Sequence, residues 1–304
     1  MDVRRVLVFR AVAQAGSISA GARVLGLTQP AVSQHLKGLE REVGCTLLIR
    51  GPAGVDLTEA GRVLLARAEA VAGQLHMAEE ELAALSQLRR GHVRLAAFPS
   101  AAATLVPRAV ARLERRRRSV DVSLREAEPP EAVELVRSGS VDLALVFTHG
   151  GPRRATDQAL RWVPVTEEPV RLVLPPGHRL ARRRGLRLAD LAAEVWVAGC
   201  ERCREHLVDR CARAGFVPGV RHATDDYVVV QNLVAAGLGV SLLPQSALDA
   251  YRHPELVLRS SESFGTRSVA MVHRDGAETV PATAALMREL LPRPRGVVSA
   301  APAD

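Results

Sequence analysis

Apolar residues in the first 57 positions recur at helical spacing in short runs, broken by Gly16, Gly26, Gly44 and Gly51. Val6, Phe9, Val12 and Ala13 form one face of a first helix, and Ser17 or Ser19 caps a second that runs to about Leu25. Thr28 caps a third, with Pro30 tolerated in its opening turn because the N–H there has no partner within the helix. Val32, Leu36, Leu39 and Val43, spaced four, three and four apart, make its buried face, and Gly44 ends it. Two short helices around a Gly-containing turn, preceded by a third, predict a helix-turn-helix unit. Leu47–Arg50 and Val55–Leu57 flank Gly51-Pro-Ala-Gly54 and read as two short strands, a candidate wing.

Thr58 caps a longer helix over about 59–89. In it Leu64, Ala68, Val71, Leu75, Ala78, Leu82 and Leu85 alternate spacings of four and three. Such a heptad seam marks a helix pairing with another helix, although a long amphipathic helix lying on its own domain gives the same pattern. From His92 the pattern changes. Strands are predicted at 92–98, 120–125, 141–147, 195–198, 220–224 and 239–243, and helices near 101–116, 130–138, 203–214, 227–236 and 279–291. This alternation predicts mostly parallel sheets. Residues 160–174 and 267–273 have strand character without an adjoining long helix, as expected of two passes between two α/β lobes. The fold class is therefore α/β with an all-α, winged N-terminal domain. The division expected is 1–57 for the winged unit, 58–90 for the linking helix, 91–295 for the two lobes and 296–304 for a disordered tail. Lobe I takes about 91–161 and 268–295, and lobe II about 162–267.

Composition narrows the function. A net charge of +8 over 304 residues favours an anionic partner. Forty of the 41 basic residues are arginine, and Lys37 is the one lysine, which excludes Schiff-base or pyridoxal-phosphate chemistry elsewhere in the chain. Four cysteines are too few for a disulfide-framed secreted module. Met1–Arg10 lacks the apolar core of a signal peptide. The longest apolar stretch, Tyr227–Pro244, is interrupted by Gln231, Asn232, Gly237 and Gly239, and reads as helix, turn and strand rather than a membrane span. The expectation is a cytoplasmic protein without membrane contact or cofactor.

The third helix carries the most chemistry. Gln29, Ser33, Lys37 and Arg41 recur every four residues along one stripe, with Gln34 beside it. Such side chains reach base edges and phosphates in a major groove, and a solvated polar face has the same pattern. Residues 1–50 hold seven basic side chains against three acidic ones.

The stretch from Ala15 to Gly44 (Ala15-Gly-Ser-Ile-Ser-Ala-Gly-Ala-Arg-Val-Leu-Gly-Leu-Thr-Gln-Pro-Ala-Val-Ser-Gln-His-Leu-Lys-Gly-Leu-Glu40, then Arg41-Glu-Val-Gly44) resembles the winged helix-turn-helix of LysR-type transcriptional regulators. The resemblance continues through Leu47–Arg50, Leu57-Thr-Glu-Ala-Gly61, Gly139-Ser-Val-Asp-Leu-Ala-Leu145 and Val234–Pro244, in the family's order. Two positions depart from the pattern: Leu48 stands for a usual phenylalanine, and Gly21 for one of a usual Ala-Ala pair. The resemblance implies that Gln29, Pro30, Ser33, Gln34 and Lys37 face the major groove of double-stranded DNA at an operator inverted repeat, and that Arg50 contacts phosphate. It also implies a linker helix pairing subunits in a homodimer or homotetramer. The remaining chain would be a periplasmic-binding-protein-like domain with a small-molecule effector between its lobes.

Ligands of open α/β sheets sit beyond the carboxyl ends of parallel strands, near helix N-termini. That places Ser100, which can cap the next helix while facing the cleft, and Thr148 in lobe I. In lobe II it places Cys200, Glu201, Arg202, Asp226 and Tyr227. Ser100 and Asp226 can equally be plain helix caps. Arg202 suits an effector carboxylate, while Glu201 and Asp226 suit an amine. Cys200-x2-Cys203-x2-His206-x4-Cys211 is a further constellation, open to structural, redox and Zn²⁺ readings. With a helix from Cys203, the Cys203 and Cys211 thiols lie over two turns apart, too far for a disulfide, so no preformed pair is expected. A thiol-based redox regulator is the alternative function, and a cytoplasmic solute-binding protein a more distant one. Cys45 is read as a small packing residue. The chain carries no nucleotide loop, HExxH or Gly-x-Ser-x-Gly motif, so an enzyme is not expected.

Overall fold

The computed structural model describes residues 1–51, 54–85, 91–117, 119–151 and 159–292. Two compact units emerge, the first built chiefly from the N-terminal residues through the long helix. In it α1 (Val3–Ala15), α2 (Ile18–Leu25) and α3 (Gln29–Val43) precede a hairpin of β1 (Leu48–Gly51) and β2 (Gly54–Leu57), then α4 (Glu59–Leu85). Each helix starts on a side chain that satisfies an otherwise unpaired N–H. Asp2 accepts from the Arg4 N–H at 2.8 Å, Ser17 from Ala20 at 3.1 Å, Thr28 from Ala31 at 3.4 Å and Thr58 from Gly61 at 2.9 Å. The turn between α2 and α3 passes through Gly26 at φ +62°, a left-handed conformation that glycine adopts without a Cβ penalty.

The apolar faces meet in one core around Phe9, Val12, Val32, Leu36, Leu39 and Leu47. Leu48 is buried in the same core. Ala68 is buried there too, and Leu64 packs against it, so the first part of the predicted seam lies on its own domain. Farther along, Val71, Leu75, Ala78 and Leu82 are exposed. The Leu85 side chain, residues 86–90 and the tail 296–304 fall outside the described residues. Cys45 is exposed, contrary to the packing role expected, because the chain leaves α3 at Gly44 and enters a surface turn.

The second unit contains β3 (Gly91–Ala97), α5 (Pro99–Arg116), β4 (Val120–Glu126), β5 (Leu143–His149) and β6 (Leu160–Leu174), with α6 (Pro129–Arg137) between β4 and β5 in sequence. There follow β7 (Val195–Ala198), α7 (Glu201–Arg213), β8 (Gly219–Ala223), α8 (Tyr227–Ala235) and β9 (Ser241–Pro244). The last elements are α9 (Gln245–Ala250), β10 (Val257–Arg259), β11 (Thr266–Arg274) and α10 (Pro281–Leu290). The main sheet runs β10-β6-β11-β5-β3-β4, with β9 also on β6. β3 is parallel to β4 and β5, and β7 to β8. In contrast to the mostly parallel expectation, β6, β9, β10 and β11 pair antiparallel. These strands carry the chain between lobes or return beside it without the helical crossover that parallel pairing needs.

β6 belongs to both lobes. It pairs with β11 as far as Pro169, then with β9 and β10 from Val170 to Leu174. Residues 160–174 and 267–273 are thus the passes between lobes that their isolated strand character predicted. One core lies around Val93, Leu95, Phe98, Phe147, Met271 and Leu286, and another around Leu172, Leu191, Trp196, Cys211 and Phe264. Among the described residues no helix is long and apolar enough to cross a membrane.

Candidate nucleic-acid interface and ligand cleft

On α3, Val32, Leu36 and Leu39 are 0–2% exposed and fix the helix on its core, which leaves the other face outward. Gln29, Pro30, Gln34 and Lys37 are exposed there, and Ser33 is half-buried. The Gln29 Oε1 accepts from the Ser19 hydroxyl at 3.3 Å, which orients its amide. The structure therefore brings five of the six sequence-predicted DNA residues onto one presented face. The side chain of Arg50, the sixth, lies outside the described residues, although its backbone is in β1.

In the second unit the predicted ligand residues divide. Ser100, Cys200 and Tyr227 line a small cavity of about 40 Å³, together with Phe98, Glu128 and Arg267. Thr148 and Arg202 line a larger one of about 710 Å³, between the end of β5 and the face of α7. Glu201 is exposed and lines neither. Asp226 also stays outside both, and its carboxylate accepts from the Val228 and Val229 N–H groups at 2.8 and 3.3 Å, a cap of α8. Ser100 is not a cap. The helix begins a residue earlier, at Pro99, and the Ser100 hydroxyl turns instead to Arg267 and Ser246.

That hydroxyl is part of a buried network that the sequence reading missed. The Arg267 guanidinium donates from Nε to Glu168 at 2.8 Å, within an ion pair of 2.7 Å, and from Nη2 to the Ser100 and Ser246 hydroxyls at 2.8 Å each. It also lies 4.7 and 4.6 Å from the centroids of the Phe98 and Phe147 rings, which pack edge to face against each other. Ser100 lies on α5 and Ser246 on α9, so the network ties these two helices to the paired strands β6 and β11. A charged residue within the apolar run of β11 was the one signal for it in the sequence.

Around the larger cavity, the His149 ring from β5 stacks on His206 from α7 at 4.0 Å. Burial, then the neighbouring His206 and Arg267, hold His149 neutral, its pKa pushed down to about 3. His206 is also lowered by burial and donates from Nε2 to the Phe264 carbonyl at 2.8 Å. Arg210 is committed to the Ser263 and Glu262 carbonyls. Arg202 differs: its Nε is buried and meets no hydrogen-bond partner among the described residues. A buried donor left unpaired is costly, and a ligand acceptor would satisfy it.

The thiols separate as well. Cys203 and Cys211 do not meet, since Cys211 is fully buried in the lobe II core, where burial pushes its thiol up to about 12. Cys200 and Cys203 do meet, with sulfurs 3.0 Å apart. Among the described residues no three His, Cys, Asp or Glu side chains cluster as metal ligands, which leaves the Zn²⁺ reading without a site.

Comparison with known proteins adds an independent line. Residues 3–62 match the family described as bacterial regulatory helix-turn-helix protein, lysR family. Residues 86–295 match the LysR substrate binding domain. The chain is 28% identical over 285 residues to the transcriptional dual regulator GltC of Bacillus subtilis, covering 92% of this chain and 93% of that one. It is 30% identical over 300 residues to the RuBisCO operon transcriptional regulator of Allochromatium vinosum, covering 96% of each. In fold it is similar to full-length OxyR from Pseudomonas aeruginosa, with a TM-score of 0.74, 22% identity and coverage of 95% of this chain and 94% of that one.

Proposed function

The chain belongs to the LysR-type family of transcriptional regulators, and from that premise we propose how its residues divide the work of a sequence-specific DNA-binding regulator with an effector-binding α/β domain. Residues 1–57 are the winged helix-turn-helix, 58–90 the linker helix and 91–295 the effector domain. Within the effector domain, lobe I takes about 91–161 and 268–295, and lobe II about 162–267. Gln29, Pro30, Ser33, Gln34 and Lys37 enter the major groove, with Arg50 on phosphate. The carrying observation is the presented face of α3: amide, hydroxyl and ammonium groups stand out from a helix whose opposite face is fully buried. The exposed C-terminal part of the α4 seam pairs subunits.

For the effector, the buried Arg202 Nε, which meets no acceptor among the described residues, beside a cavity of about 710 Å³ supports a small carboxylate as the ligand, with Thr148 alongside. Binding resets DNA affinity to the extent that the ligand prefers one lobe arrangement over another.

Footprinting on the chain's own upstream region supplies the operator. There Gln34→Ala costs about 1–3 kcal/mol, with much less effect on random DNA. Arg50→Ala weakens binding to both and flattens the salt dependence. Equal losses on both sequences for Gln34→Ala overturn the base-reading role. In a thermal-shift screen of small carboxylates, Arg202→Ala removes the stabilisation seen in wild type and leaves operator binding intact.

A further inference from the structure

We propose that Cys200 and Cys203 form a redox modification site in the wall of the smaller inter-lobe cavity, closing to a disulfide by exchange with a small oxidised thiol. The inference does not depend on which ligand the larger cavity takes.

Cys200 occupies the N-cap position of α7, and Cys203 the third position of the helix. Residues three apart at a helix start lie on one face, within the Cα separation that a disulfide spans. The Cys200 thiol already points at the Cys203 sulfur, 3.0 Å away. Both line the cavity with Phe98, Phe147 and Glu128. Cys203 is the more accessible of the two, half-buried where Cys200 is buried.

Their chemistry is asymmetric. The hydrogen bond from Cys200 favours the Cys203 thiolate, and the charge of Arg267 adds to this, so the Cys203 pKa is lowered. Cys200, the donor in that bond and more deeply buried, is raised. A helix N-terminus favours thiolate in the same way. Glu128 lies against the Cys200 thiol, and its own pKa is raised by burial, which suits it to take a proton.

The exchange runs in two steps. Cys203 thiolate attacks one sulfur of the oxidised thiol R–S–S–R, breaks its S–S bond and expels one thiolate. Cys200, passing its proton to Glu128, then attacks the Cys203 sulfur of the mixed disulfide and expels the second. Two protein thiols are oxidised by two electrons and R–S–S–R is reduced to two R–SH. Closure removes the S–H beside Glu128 and so changes the polar lining of the cavity.

The test incubates the full-length chain with glutathione disulfide, blocks remaining thiols and reads intact mass and peptide cross-links. Wild type and Cys211→Ser lose two hydrogens and yield a Cys200–Cys203 link that dithiothreitol reverses. Cys200→Ser halts at a glutathione adduct on Cys203, and Cys203→Ser forms no link. Glu128→Gln, whose fold is checked by circular dichroism, slows closure on the order of a hundredfold and accumulates the adduct. A cross-link to Cys211 or Cys45, or four unmodified thiols in folded wild type, overturns the proposal.

Discussion

Arg267 stands directly opposite Glu168 in the β6–β11 pairing and holds its carboxylate at 2.7 Å, with both side chains almost out of solvent. These are the strands that carry the chain between lobes. The desolvation cost of two buried charges is offset only because the Ser100 and Ser246 hydroxyls and two aromatic rings complete the arginine's surroundings. Glu168→Gln leaves the guanidinium buried without a counter-charge and is expected to cost about 3–5 kcal/mol in urea unfolding. The paired change Arg267→Met with Glu168→Leu removes both charges and recovers most of the loss. A change below about 1 kcal/mol for Glu168→Gln is incompatible with this account.

Gly21 explains one departure of this chain from its family's pattern. A Cβ there would lie 2.6 Å from Val12 Cγ2 and 2.8 Å from Val12 Cα, so an alanine requires α1 and α2 to move apart. Overpacking of this kind costs about 1–3 kcal/mol, against a gain of about 1 kcal/mol in helix propensity. Gly21→Ala is therefore expected to lower the thermal stability of the winged unit. An increase in its unfolding temperature would show that the helices separate freely.

The winged unit was legible because its signals are local. Caps at Thr28 and Thr58 and the spacing of Val32, Leu36 and Leu39 act within a few residues. The cleft was less so. A helix start placed at Cys203 rather than Glu201 hid the fact that Cys200 sits one turn from Cys203. A similar small shift, to Pro99, moved Ser100 from the cap into the first turn. The Arg267–Glu168 pair depends on the register of strands about a hundred residues apart, which periodicity along one strand does not encode.

The α4 seam changes character along its length. Ala68 is buried on the unit's own core, whereas Val71, Leu75 and Leu82 are 39%, 42% and 66% exposed. Apolar side chains at heptad spacing on an exposed helix face suit a partner helix. Leu75→Glu places a charge in that contact and is expected to reduce both the oligomer mass by light scattering and operator affinity. An unchanged mass with circular dichroism intact assigns pairing elsewhere.

The His149–His206 stack gives the effector domain a pH dependence of definite sign. Unfolded, His149 takes up its proton near pH 6.5; folded, burial and the charges of His206, Arg267 and Arg202 delay that to about 3. Between these values the unfolded chain binds a proton that the folded chain refuses, so folding is favoured less as pH falls. The stability from keeping His149 neutral is fully present above pH 6.5 and declines as the solution is acidified towards pH 3. His206 contributes in the same direction, since burial lowers it too, although its hydrogen bond to the Phe264 carbonyl and, less, Asp209 oppose the shift. His149→Phe keeps an aromatic ring against His206 and cannot titrate. Urea midpoints measured from about pH 7.5 down to about pH 4.5 should therefore fall less steeply for His149→Phe than for wild type. Parallel curves for the two proteins would mean that the acid sensitivity of this domain arises from other groups.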